Sequence, residues 1–106
     1  MRVVLDNCVP RTLLRHLTGF EATAVRDHGW AAIDDGPLLD RLEGLCDVFV
    51  TVDRNIPFQQ RLADRPFATV ILQARTNRLI DLLPLVPQLL AVLPEVRPGH
   101  VTHLAV

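Results

Sequence analysis

The chain contains no lysine: all eleven basic residues among its 106 are arginine. Every mechanism that needs a lysine amine is therefore excluded. No apolar run reaches the roughly 18 residues that a membrane span requires. Nor is there an excess of positive charge. The formal net charge of −1 gives no global pull toward nucleic acid. The N-terminus enters an apolar run without a basic region and small-residue cleavage site, so no signal peptide is expected and the default location is the cytoplasm. Cys8 and Cys46 are the only two cysteines, and they lack metal-ligand spacing. In a cytosolic protein they read as small core residues. His16, His28, His100 and His103 are scattered, again without ligand spacing. Repeats, low-complexity segments and linkers are missing as well.

What is present is apolar: 49 % of the residues are hydrophobic, enough for one domain over residues 1–106 with a small core. Arg2 to Leu5 is a short β-branched run that ends on Asp6. Val9 to Leu17 places Val9, Leu13, Leu14 and Leu17 on one face, which predicts a helix with Pro10 in its first turn and Gly19 after its end. Glu21 to Val25 reads as a second strand, and the segment RDHGWAAIDDG as a loop. Asp35 is placed to cap a helix starting near Gly36 and Pro37, carrying Leu38, Leu39, Leu42 and Leu45. Asp47 to Val52 is the third strand, Ile56 to Ala63 a short helix, and Ala68 to Leu72 the fourth strand. Arg78 to Leu93 is apolar at helical spacing, with a kink or restart expected at Pro84 and Pro87. Val101 to Ala105 is a last strand, at the sheet edge.

Alternating strands and helices predict an α/β fold with a mostly parallel sheet of about five strands, covered by helices on both faces. In such folds ligands bind outside the carboxyl ends of the strands. The first strand ends on Asp6 and the third on Asp53, so both carboxylates emerge at one edge. Two carboxylates about 4 Å apart repel by roughly 4 kcal/mol at an effective dielectric near 20. A fold keeps them together only with an offset: a shared proton, an arginine or a divalent cation. Mg²⁺ and Mn²⁺ prefer hard oxygen ligands. Asp35, or its neighbour Asp34, can join from the loop, and Asn55 can supply an amide oxygen. Three acids and an amide suit metal-assisted phosphodiester hydrolysis. Asn7 and Thr51 are candidate supporting residues, with Thr51 two positions before Asp53. Arg54, Arg75 and Arg78 follow strands three and four, where they can position phosphates. Each of these residues also has a plain structural reading: an aspartate caps, an arginine is solvated, a threonine fills a strand. Trp30 reads as packing over the sheet edge.

The stretches VVLDNCVPRTLLRHL, VRDHGWAAIDDGPLL and DVFVTVDRN, taken together, resemble the small PIN-like domain family. These are minimal relatives of the PIN-domain ribonucleases, often toxins of bacterial toxin–antitoxin pairs. The carrying residues are Asp6, Asn7 and Pro10; then Gly29, Trp30, Asp35, Leu38 and Leu39; then Thr51, Asp53 and Asn55. The resemblance implies a three-layer α/β/α sandwich, a divalent cation (Mg or Mn) and RNA as substrate. By position it makes Asp6, Asp35 and Asp53 metal ligands. Asn7 stands where many members have Glu, Asn55 where many have Asp, and Pro37 where Glu is frequent, so this chain offers fewer carboxylates.

Two further readings share the outline. A receiver-like phosphoacceptor domain also places an aspartate at the end of its third strand, but it uses a lysine, and here there is none. A non-catalytic PIN-like module would bind a small antitoxin, or a second copy of itself as a homodimer, through the leucine-rich segment Leu79 to Leu93.

Overall fold

The structure, a computed structural model, describes residues 1–106. Five strands form one sheet: β1 (Arg2–Leu5), β2 (Glu21–Ala24), β3 (Val48–Thr51), β4 (Ala68–Gln73) and β5 (Val101–Ala105). Their order is β2-β1-β3-β4-β5, and every neighbouring pair is parallel. The expected α/β class and parallel sheet are present, with β5 at the edge. Between the strands run α1 (Asp35–Leu42), α2 (Ile56–Gln59), α3 (Leu79–Leu82) and α4 (Val86–Val92).

Alternation along each strand explains two separate cores. Val3 and Leu5 of β1, Val48 and Val50 of β3, and Val70 and Leu72 of β4 face one side. There they meet Val9, Leu13 and Leu17, together with Leu82, Leu85, Leu89 and Leu93. Val4, Phe49 and Ile71, the intervening residues, face the other side and meet Leu38, Leu39 and Leu42 of α1 with Ile56, Leu62 and Phe67. Strands buried on both faces are why the sequence shows continuous apolar runs in place of alternation.

Several boundaries differ from expectation. Residues 11–16 form a 3₁₀ helix where the leucine spacing predicts an α-helix. Over six residues the two periods diverge by only about a third of a turn, too little for the pattern to separate them. Pro10 is extended and lies just outside this helix. Val25, expected to close the second strand, leaves β2 and opens a second 3₁₀ turn, Val25–His28, that runs into the stretch expected as loop. Helix α1 stops at Leu42, which leaves Leu45 45 % exposed and off the helix. Helix α2 ends at Gln59, short of Ala63.

The leucine-rich segment behaves as its prolines dictate. It passes from α3 through a 3₁₀ turn at Leu83–Leu85 into α4 and then a 3₁₀ turn at Leu93–Glu95. Pro84, Pro87 and Pro94 each sit in the first turn of a new piece, where the missing N–H costs least. Its buried leucines belong to the core, while Ile80 and Leu83 remain on the surface. No helix is long and apolar enough to cross a membrane.

Candidate functional site

The chain turns from β1 to β2 on one side and reaches β3 on the other. The crevice between the carboxyl ends of β1 and β3 is thus the switch point at which open parallel sheets bind ligands. A cavity of about 360 Å³ lies there, and Asp6, Asp35 and Asp53 all line it.

Residue parity brings these acids together. Val4 and Phe49 face the α1 side of the sheet. Two residues further along each chain stand Asp6 and Thr51, and two beyond Thr51 stands Asp53. Asp35 arrives from the helix. Its inner stripe of Leu38, Leu39 and Leu42 lies three, four and seven positions after Asp35, so the acid continues that stripe toward the sheet edge. Asp34 occupies the N-cap position and is exposed. The helix therefore begins one residue earlier than expected. Asp35 is not the cap, and Asp34 is not the cavity residue.

Asp6 is held firmly. It is 8 % exposed. Its Oδ1 accepts the Asn7 N–H at 2.7 Å, and its Oδ2 accepts the Thr51 hydroxyl at 2.7 Å. The Cys8 thiol also approaches Oδ2, at 3.4 Å. Thr51 Oγ1 in turn accepts the Asp53 N–H at 3.0 Å. This buried hydroxyl ties the ends of β1 and β3 to each other, beside the hydrogen bond from the Asp6 N–H to the Val50 carbonyl at 2.8 Å. Asp53 Oδ1 accepts the Asn55 N–H at 2.9 Å, a local turn that starts α2.

The carboxyl of Asp35 is raised above the usual aspartate range. Partial burial is the main cause, and the charges of Asp6, Asp53 and Asp34 add to it. No three acidic, histidine or cysteine groups are drawn close enough to enclose a metal ion. The donor chemistry still suits a hard divalent cation, since the three acids offer only oxygen.

The supporting residues divide. Asn7 lines the cavity, and its Nδ2 donates to the Ala31 carbonyl at 2.6 Å, pinning the loop that carries Trp30. A glutamate in this place would have no proton to donate. Thr51 is fully buried and acts through Asp6 and Asp53. Asn55 is not in the cavity lining; it is exposed at the start of α2, where its carbonyl accepts the N–H groups of Phe58 and Gln59. Arg54 and Arg75 line a second cavity beyond β3, and Arg78 lines neither, standing exposed before α3. Trp30 packs on the α1-side core, stacks on His28 at 4.9 Å between ring centroids, and lies under the Arg41 guanidinium at 5.8 Å.

Cys8 is the residue that sequence reasoning missed. It lines the cavity half-buried, with its thiol 3.4 Å from both Asp6 Oδ2 and Thr51 Oγ1. Burial and then the Asp6 charge push this thiol up, which keeps it protonated. Its place two residues after Asp6 was the available signal. Cys46 does belong to the core, where burial pushes it up to about 12. No family model, curated protein or solved structure matches this chain.

Proposed function

We propose that the protein is a metal-dependent ribonuclease of PIN-like type, acting in the cytoplasm as the toxin of a toxin–antitoxin pair. The observation that carries this reading is that Asp6, Asp35 and Asp53, from three separate elements, line one cavity at the switch point. An RNA phosphate is itself negative, so three carboxylates alone would repel it. A divalent cation in their midst would offset two of those three charges and would give a phosphate oxygen a positive centre to ligate. Asp6, Asp35 and Asp53 would hold Mg or Mn, which supplies an activated water and neutralises charge on the phosphate. Thr51 and the Asn7 backbone keep Asp6 aimed. The Asn7 amide and the Trp30 stack shape the wall opposite. Arg54 lies next in the chain to Asp53 and can hold the strand beside the cut.

One second reading has its own support. The acids are not gathered for a metal, and Phe58 and Ile80 are 88 % and 70 % exposed. These features favour a non-catalytic module that binds an antitoxin or a second copy of the chain.

The test is direct. The protein is incubated with single-stranded and structured RNA, with Mn²⁺ or Mg²⁺ and then with chelator. We expect cleavage that chelator abolishes and that Asp53→Asn reduces by roughly a hundredfold or more. Cleavage that persists in chelator, or that is undiminished in Asp53→Asn, refutes the proposal. Purified protein without any cleavage supports the binding module.

A further inference from the structure

The second cavity, about 370 Å³ in volume, opens at the same carboxyl edge of the sheet, past β3, β4 and β5. Arg54, Gln73 and Arg75 line it with the apolar side chains of Ile80 and Pro84. Neither arginine forms an ion pair, although four other arginines of the chain do. The only hydrogen bond of the Arg54 guanidinium is a long one to the Ala74 carbonyl, at 3.4 Å. Asp81 is the one acidic side chain in the lining, and its carboxylate is turned onto the Thr76 hydroxyl. Gln73 is steadied by His103, with Nε2 2.7 Å from Nδ1.

Consecutive residues, Asp53 and Arg54, thus put opposite charges into adjoining cavities. Neighbouring strands lie about 4.8 Å apart. A chain lying across the edge from the β1–β3 crevice therefore meets the arginines within about two strand spacings, or roughly 10 Å. Two guanidiniums without carboxylate partners match a phosphate, and the Ile80 and Pro84 wall matches the flat face of a sugar or base.

We propose that the second cavity is a subsite for the nucleotide flanking the cut. It holds that nucleotide's phosphate between Arg54 and Arg75 and its apolar face against Ile80 and Pro84. This rests on the ribonuclease reading for the identity of the strand. It adds a direction: single-stranded RNA crosses the edge from β1 toward β5.

Binding is measured by fluorescence anisotropy of a short labelled oligouridylate in chelator, where no cutting takes place. The full-length chain is compared with Arg54→Gln/Arg75→Gln and with Arg54→Lys/Arg75→Lys. The glutamine pair is expected to bind about tenfold more weakly at low salt. Its log–log salt slope should fall by about 0.7, the loss of one neutralised phosphate on a single strand. The lysine pair keeps the charge and should retain most of that slope. Wild-type affinity and slope in the glutamine pair overturn the subsite, as does a wild-type chain that fails to bind the oligomer. Uridine monophosphate that competes as well as the oligomer also overturns it, making this a free-nucleotide site. A chain that binds as expected here yet never cuts RNA refutes the ribonuclease proposal alone.

Discussion

Replacing Thr51 by valine removes one hydroxyl and almost no volume. That hydroxyl is fully buried, donates to Asp6 Oδ2 at 2.7 Å and accepts the Asp53 N–H at 3.0 Å. A hydrogen bond to a charged acceptor contributes about 1.5–3 kcal/mol, and a neutral one about 1 kcal/mol. The valine methyl returns roughly 0.8 kcal/mol through apolar burial. The Cys8 thiol, at 3.4 Å, would be the only remaining side-chain donor to Asp6 Oδ2. The net loss is about 2–3 kcal/mol. In a domain of this size that lowers Tm by about 8–15 °C. The assay is thermal unfolding followed by far-ultraviolet circular dichroism, in metal-free buffer with chelator. Thr51→Ser is the control: it keeps the hydroxyl, loses only a methyl, and should cost about 1 kcal/mol. A Thr51→Val protein that melts within about 3 °C of wild type refutes the reasoning. The hydroxyl would then not be what joins the two strand ends.

Two other outcomes follow from the same structure. Asp35 has a folded-state pKa above its unfolded value, so between those two pH values the native state binds the extra proton. Its ionisation therefore removes stability as pH rises through the folded pKa, and Asp35→Asn should melt at an equal or higher temperature than wild type at pH 7 in chelator. A lower Tm would mean that its carboxylate has a structural partner. Gly99 has φ +80°, and a Cβ there would lie 2.5 Å from the Ala63 carbonyl oxygen. Gly99→Ala should cost at least about 2 kcal/mol by chemical denaturation, from the left-handed backbone and the forced shift of the 63 loop; a loss under about 0.5 kcal/mol would show that the loop yields freely.

Asp6 was the acid most altered by tertiary detail. In the sequence the two are alike, Asp6 and Asp53: each ends a strand at the same edge, where each carboxylate would repel the other. The structure separates them. Asp53 sits in an open local turn, whereas Asp6 is buried and accepts the Thr51 hydroxyl and the Asn7 N–H. An amide at position 6 turns one of these two acceptors into a donor, facing either the Thr51 hydroxyl or the Asn7 N–H, so its relief of charge is offset by a disturbed hydrogen-bond set.

The sequence by itself determined the parallel α/β sheet, because apolar strand runs and intervening leucine spacings permit few other arrangements. It also placed Asp6 and Asp53 at one edge, since parallel strands share their carboxyl ends. It broke the last helical segment near Pro84 and Pro87, because proline lacks the N–H that would continue it. Between two adjacent aspartates the residue pattern left a choice that the resemblance made for Asp35, and tertiary structure supplied the physical reason. Asp34 and Asp35 are equivalent as letters; only the rotation of α1, fixed by burying Leu38, Leu39 and Leu42, points one inward and leaves the other exposed. It also sent Arg54 and Arg75 to a second cavity and kept Asn55 out of the first. Short-range pattern records which face of an element is apolar. Where a polar side chain at its end arrives depends on how that face is packed.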